Sequence, residues 1–199
     1  MPPSAALDFD APVSKVLSPA SMAHVVLRTA NLQPMVDFYV NFLGGSVTHG
    51  NETLSFITFD EEHHRIALLR IPDTAPKNPH TCGLEHVAFS FDSLPDLLRS
   101  YRHRKARGLN PVWSVNHGPT TSIYYKDPDG NMLETQVDNF DTVEDATAFM
   151  LTDKFAQNPI GTDFDPEEWI VALKNGEDER KLMVRREIGA RGMPDLAGM

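Results

Sequence analysis

Between residues 22 and 137 the apolar positions switch between a strand-like and a helix-like period, and they do so twice in the same order. Ala23-His24-Val25-Val26-Leu27-Arg28 reads as a buried strand, and Leu32, Met35, Val36, Tyr39 and Phe42 then recur at helical spacing until Gly44-Gly45 closes the helix. Strand-like runs follow at 46–49, 53–59 and 64–71. The segment 72–81 holds three prolines and no periodicity, so it reads as a linker. Beyond it the pattern returns. At one offset of 62 residues His24-Val25 falls on His86-Val87, Leu32 on Leu94, Met35 on Leu97, Val36 on Leu98 and Tyr39 on Tyr101. Gly108 ends this second helix, and strands are predicted at 111–115, 120–125 and 131–137. A βαβββ unit is therefore duplicated, which fixes the strands that are equivalent and relates His24 to His86 across a pseudo-twofold axis.

The predicted fold class is α+β: two tandem βαβββ units forming one U-shaped mixed sheet around a metal site, followed by a helical C-terminal extension. The divisions are a loose N-terminal arm at 1–20, a first unit at 21–71, the linker at 72–81, a second unit at 82–139 and the extension at 140–199. In the extension a short helix is expected at 141–150. Asp165-Pro166-Glu167-Glu168 starts another, with Asp as N-cap and Pro in the first turn, running through Trp169, Val171 and Leu173 to Gly176. A further helix is expected within 177–187. These helices could pack on the back of the sheet, cover the mouth of the cavity or join a partner chain.

Composition narrows the partners. Of 199 residues 41% are hydrophobic and 23% charged, the balance of a globular chain, and a formal net charge of −10 leaves no basic surface for nucleic acid or an anionic membrane. The bases Arg99, Arg102, Arg104, Lys105 and Arg107 read as the solvated face and C-terminal end of the second helix. The single cysteine, Cys82, cannot form an internal disulfide, and no signal peptide or membrane-spanning apolar run is present, so a cytoplasmic protein is expected.

The chemistry gathers on a hairpin. The β-branched and aromatic run 120–125 is followed by the turn-forming Asp127, Pro128, Asp129 and Gly130 and a second run at 131–137. Period-2 geometry puts Met132 and Glu134 on one face, so Glu134 points into a core or cavity and needs a partner. The repeat directs His24 and His86 at the same space, with Tyr124 reaching toward it. Two neutral imidazoles and a carboxylate that leave coordination positions open suit a divalent first-row metal, Fe(II) above all, that must also bind an organic ligand and dioxygen.

The paired units, the two histidines opening their first strands and Asp127-Pro128-Asp129-Gly130-Asn131 leading to Glu134 resemble the vicinal oxygen chelate superfamily (glyoxalase, bleomycin resistance and dioxygenase proteins) over about residues 22–138. Within it, His63-His64-Arg65-Ile66-Ala67-Leu68 is similar to the His-His-x-x-Ala-Leu strand of the type I extradiol dioxygenases, the 2,3-dihydroxybiphenyl 1,2-dioxygenase group. Tyr124, ten residues before Glu134, falls where that group carries a catalytic tyrosine, and His117 falls near a polar residue that contacts substrate oxygen. The resemblance implies a single-module-pair extradiol dioxygenase that cleaves a catechol-type aromatic with O2. It implies Fe(II), with Mn(II) as the alternative, on His24, His86 and Glu134; His64, Tyr124 and His117 as catalytic residues; and a homodimer or higher homo-oligomer. Two alternatives remain. A metal-dependent glyoxalase, epimerase or thiol-transferase-like enzyme shares the scaffold, although the run at 64–70 lacks the carboxylate that glyoxalase I adds as a fourth ligand. A metal-free small-molecule binding protein has no use for the triad.

Overall fold

The structure is a computed structural model and describes residues 14–195, so residues 1–13 of the expected N-terminal arm lie outside the described residues. The first unit is β1 (Val25–Thr29), α1 (Leu32–Leu43), β2 (Ser46–Gly50), β3 (Leu54–Thr58) and β4 (Ile66–Arg70). The second is β5 (His86–Ser90), α2 (Leu94–Lys105), β6 (Trp113–Asn116), β7 (Thr120–Lys126) and β8 (Met132–Asp138). Then come α3 (Val143–Met150), α4 (Asp153–Gln157), β9 (Thr162–Asp163), α5 (Pro166–Lys174) and α6 (Glu179–Met183). Two elements, α4 and β9, carry no period in the sequence, and α6 is shorter than the run expected within 177–187.

The helix ends follow the local chemistry. Gly44 at the end of α1 adopts a left-handed conformation with φ 65°, and the Ser93 side chain accepts the Asp96 amide to cap α2. Asp165 caps α5 as the sequence predicts, accepting from the Glu167 amide.

The chain hydrogen-bonds as two sheets where the sequence reading expects one. The first has the order β1-β4-β3-β2 and the second β5-β8-β7-β6-β9. In each, the first strand runs parallel to the last strand of its unit, Val25 opposite Ile66 and His86 opposite Met132, and the remaining pairs are antiparallel. The reason that the sheets stay separate lies in the packing between the units. The apolar face of α1 (Met35, Phe38, Tyr39, Phe42) shares one buried cluster with Tyr125 and Leu133 of the second sheet and Leu97 and Leu98 of α2. Phe42 meets both Phe89 and Tyr125 edge to face, at 6.1 and 5.1 Å between ring centres. Among the described residues β1 and β5 are thus left as edges, each joined on one side only.

Arg104 corrects the sequence reading of it as solvated. It is only 3% exposed, its Nε donates to the Phe42 carbonyl at 2.8 Å, and its guanidinium lies 4.0 Å from the Phe42 ring centre. The other clustered bases behave as expected of surface groups, with Lys105 and Arg102 meeting Glu167 of α5. Asp127 at the hairpin turn accepts from the Asp129 and Asn131 amides, the Asn131 side chain and the Tyr39 hydroxyl, and so ties the turn to α1. Phe42 is the hub of the seam between the units. Replacing it by alanine should lower the unfolding free energy in urea by about 3–5 kcal/mol, and a change below about 1 kcal/mol would show that the seam is not closed by that ring.

Candidate active site

Alternation along the second sheet puts His86, Met132, Glu134, Ser122, Tyr124 and Trp113 on the face away from the core, because residues paired across β5, β8, β7 and β6 share a side. Glu134 sits at the middle of this face and is 5% exposed. A carboxylate so buried must be paired or fully hydrogen-bonded. His86 Nε2 donates to Glu134 Oε2 at 3.0 Å, and the Ser122 and Tyr124 hydroxyls stand within hydrogen-bonding reach of the same carboxylate. Burial alone would raise the Glu134 pKa, but these three contacts and the His86 charge outweigh it and hold the carboxyl below its usual range. His86 is raised in return, chiefly by its bond to Glu134.

Tyr124 is the second centre. Burial first, then the Glu134 charge, pushes its phenol far above the ordinary tyrosine value, so it is held protonated at neutral pH. Its hydroxyl lies 2.9 Å from His117 Nε2, and its ring is stacked on Trp113 at 5.0 Å between centres. Burial lowers the His117 pKa, and the other ring nitrogen, Nδ1, is 2.6 Å from the Ile160 carbonyl. His86, Glu134, Tyr124 and His117 are therefore brought together.

His24 and His64 are brought to one another instead. Their ring centres are 4.5 Å apart at the entrances to β1 and β4, beside Phe56, which stacks on His64 at 4.5 Å. His64 is buried in the turn before β4, not within the strand as the sequence reading has it, and its pKa is lowered by burial and then by His24 and His63. The expected convergence of His24, His86 and Glu134 inside one chain does not occur. Among the described residues no three His, Cys, Asp or Glu side chains gather closely enough to hold a metal ion. The cause is the seam described above: with helices packed between the units, the β1 and β5 edges do not abut.

The extension contributes residues that the sequence did not reveal. β9 pairs with β6, placing Thr162 opposite Asn116. The Trp113 indole donates to Asp163 at 2.8 Å, and Arg191 forms two bonds of 2.8 Å to the same carboxylate. No helix among the described residues is long and apolar enough to cross a membrane.

Residues 21–135 match the family described as the Glyoxalase/Bleomycin resistance protein/Dioxygenase superfamily. A protein of Rhodococcus globerulus named biphenyl-2,3-diol 1,2-dioxygenase 2 is 48% identical over 145 residues, covering 72% of this chain and 76% of that protein. A second from the same organism, biphenyl-2,3-diol 1,2-dioxygenase 3, is 42% identical over 166 residues, covering 82% and 87%. Among solved structures, a glyoxylase/bleomycin resistance protein/dioxygenase domain from Frankia sp. EAN1pec superposes with a TM-score of 0.51 at 20% identity, over 61% of this chain and 93% of that one, a likeness of fold alone.

The clasp on Trp113 predicts a pH dependence. Burial by itself would raise the Asp163 pKa, but the bonds from Arg191 and Trp113 and the Arg191 charge lower it below the unfolded value. Its contribution to stability is therefore present above a pH of about 4 and is lost as the pH falls through the folded pKa. The melting temperatures of the wild type and Asp163→Asn should differ at pH 6 and converge toward pH 3. A difference that grows on acidification contradicts the clasp.

Proposed function

The chain belongs to the Glyoxalase/Bleomycin resistance protein/Dioxygenase superfamily, and within it we propose that this protein is an extradiol ring-cleaving dioxygenase acting on a catechol-type aromatic with O2. The observation that carries the reading is the Glu134 constellation: a buried carboxylate bonded to an imidazole, with a protonated phenol and a neutral imidazole in series beside it. The 48% and 42% identities to proteins named biphenyl-2,3-diol 1,2-dioxygenase support the same chemistry.

The donor set suits a divalent metal. His86 Nε2 and Glu134 Oε2 are 3.0 Å apart, a spacing at which both can bind one ion once the proton between them is released. The third donor is His24, which a second copy of the chain supplies. Among the described residues β1 and β5 each pair on one side only, and Val26, two residues from His24, is 47% exposed. A twofold dimer that sets β1 of one protomer against β5 of its partner completes two equivalent sites, and His64 arrives with His24 because their rings are in contact. Fe(II), with Mn(II) as the alternative, would be held by His24, His86 and Glu134, and would lower the pKa of the bound diol and bring it together with dioxygen.

The remaining steps belong to the side chains. In this reading Tyr124 Oη takes the proton of a diol hydroxyl only as it gives up its own, since its phenol does not ionise at neutral pH. His117 Nε2, 2.9 Å away, accepts that proton. The Trp113 ring stacked on Tyr124 keeps the phenol from swinging out of line. His64, neutral through burial, can hold or deliver a proton on the opposite side of the site. With one exposed cysteine and no disulfide among the described residues, the protein suits the reducing cytoplasm.

The test is anaerobic loading with Fe(II), followed by catechol or 2,3-dihydroxybiphenyl and oxygen. A yellow ring-opened product with matching oxygen uptake is expected. His24→Ala, His86→Ala and Glu134→Ala should each lose iron and turnover, whereas His64→Phe and Tyr124→Phe should keep iron and lose about 10²–10⁴-fold in kcat. Triad variants that stay active would refute the assignment.

A further inference from the structure

His117 stands just beyond β6, inside the segment that matches the family, yet the partners of its Nδ1 and of its carbonyl both come from outside that segment. Its Nδ1 is 2.6 Å from the Ile160 carbonyl. A carbonyl oxygen can only accept, so this contact keeps the ring proton on Nδ1 and leaves Nε2 as a lone pair facing the Tyr124 hydroxyl.

The Ile160 carbonyl is itself held in place. Asn158 is 1% exposed and bonds both the amide and the carbonyl of Gly161, closing the turn that presents Ile160. Gly161 has φ 105° and passes so near the end of β6 that a Cβ there would lie 2.2 Å from the Asn116 carbonyl oxygen. Arg185 locks the two segments together. Its side chain is 1% exposed, and Nη1 donates to the carbonyls of His117 at 3.0 Å and Asn158 at 2.6 Å, bridging the pair of backbones that the Nδ1 contact joins. Nη2 reaches the Lys154 carbonyl at 3.1 Å and the Glu187 carboxylate at 3.0 Å. A buried guanidinium with these four acceptors has one geometry available to it.

We propose that the C-terminal extension sets the tautomer of His117, the Ile160 carbonyl holding the proton on Nδ1 and Arg185 acting as the positioning residue that keeps carbonyl and ring in register. The inference rests on the reading of Tyr124 and His117 as a proton relay. In that relay a hydroxyl proton of the diol moves to Tyr124 Oη, the Tyr124 O–H bond breaks, and its proton forms the N–H bond at His117 Nε2. The products are a diol monoanion, a neutral tyrosine and an imidazolium. The opposite tautomer carries a proton on Nε2 and cannot accept, so the extension decides whether the relay runs.

Nitrogen-15 NMR of the full-length protein, without metal or catechol, reads the tautomer directly, with the His117 signals assigned by their absence in His117→Gln. The wild type should give a protonated-type Nδ1 and a lone-pair-type Nε2. Arg185→Ala and Gly161→Ala should give mixed tautomers, with kcat for ring cleavage lowered about tenfold or more while KM stays near the wild-type value. Arg185→Lys should recover part of both, and Glu187→Gln should give a smaller shift in the same direction without opening the core. A wild-type ring protonated on Nε2, or folded variants that keep the wild-type pair of signals, would overturn the proposal. Because these signals need no turnover, loss of the dioxygenase reading would leave this test standing, and the reverse holds too.

Discussion

A carboxylate on an inner strand, 5% exposed, constrains the second half of this molecule. In water Glu134 would cost nothing to ionise; inside the sheet it requires donors, and the strand register supplies them. β5 runs parallel to β8 and brings His86 over it, while β7 runs antiparallel and sets Tyr124 directly opposite. Ser122, two residues along β7, fills a remaining acceptor position. The consequence is electrostatic. The same negative charge that needs these donors also helps to keep the Tyr124 phenol protonated and the His86 ring basic, so one buried charge sets the proton inventory of the whole face.

The packing of the two units decides what that face can become. α1 lies against the second sheet, with Phe42 between Phe89 and Tyr125 and the Arg104 guanidinium over its ring. This arrangement buries the apolar faces of both units in a common core and turns their histidine-bearing faces outward. The first sheet then carries His24 and His64, and the second carries His86 and Glu134. Each unit thus holds part of the ligand set proposed above, and the duplication that aligned the two histidines in sequence places them on different halves. A symmetric pair of chains is the arrangement in which an exposed β1 edge and an exposed β5 edge each find a partner twice.

The repeat, both helices, the hairpin and its turn were legible because hydrophobic period and turn chemistry are local signals. The sequence also directed Glu134 and His86 at one space, but as co-ligands of a metal ion with His24; their direct bond at 3.0 Å was not read from it. Other features arise only from tertiary packing. Arg104 looks like its neighbours Arg102 and Lys105 in sequence, yet it turns inward because a carbonyl and three aromatic rings surround it. The two-residue strand at 162–163 is too short for any period, and Arg185 bonds carbonyls at 117, 154 and 158, a set that no spacing rule connects. The separation of His24 from His86 within one chain was invisible for the same reason, because symmetry in sequence relates positions without stating which copy lies beside which.

The most direct measurement is the iron content of a mixed dimer. One protomer carries His24→Ala, its partner carries Glu134→Ala, and the pair is isolated through two different affinity tags and loaded anaerobically with Fe(II). If each site draws His24 from one chain and His86 with Glu134 from the other, one of the two sites escapes both substitutions, and the dimer should bind about one ion where the wild type binds about two. A mixed dimer that binds none, like the two parent variants alone, would mean that each site is built within a single chain and would contradict the account.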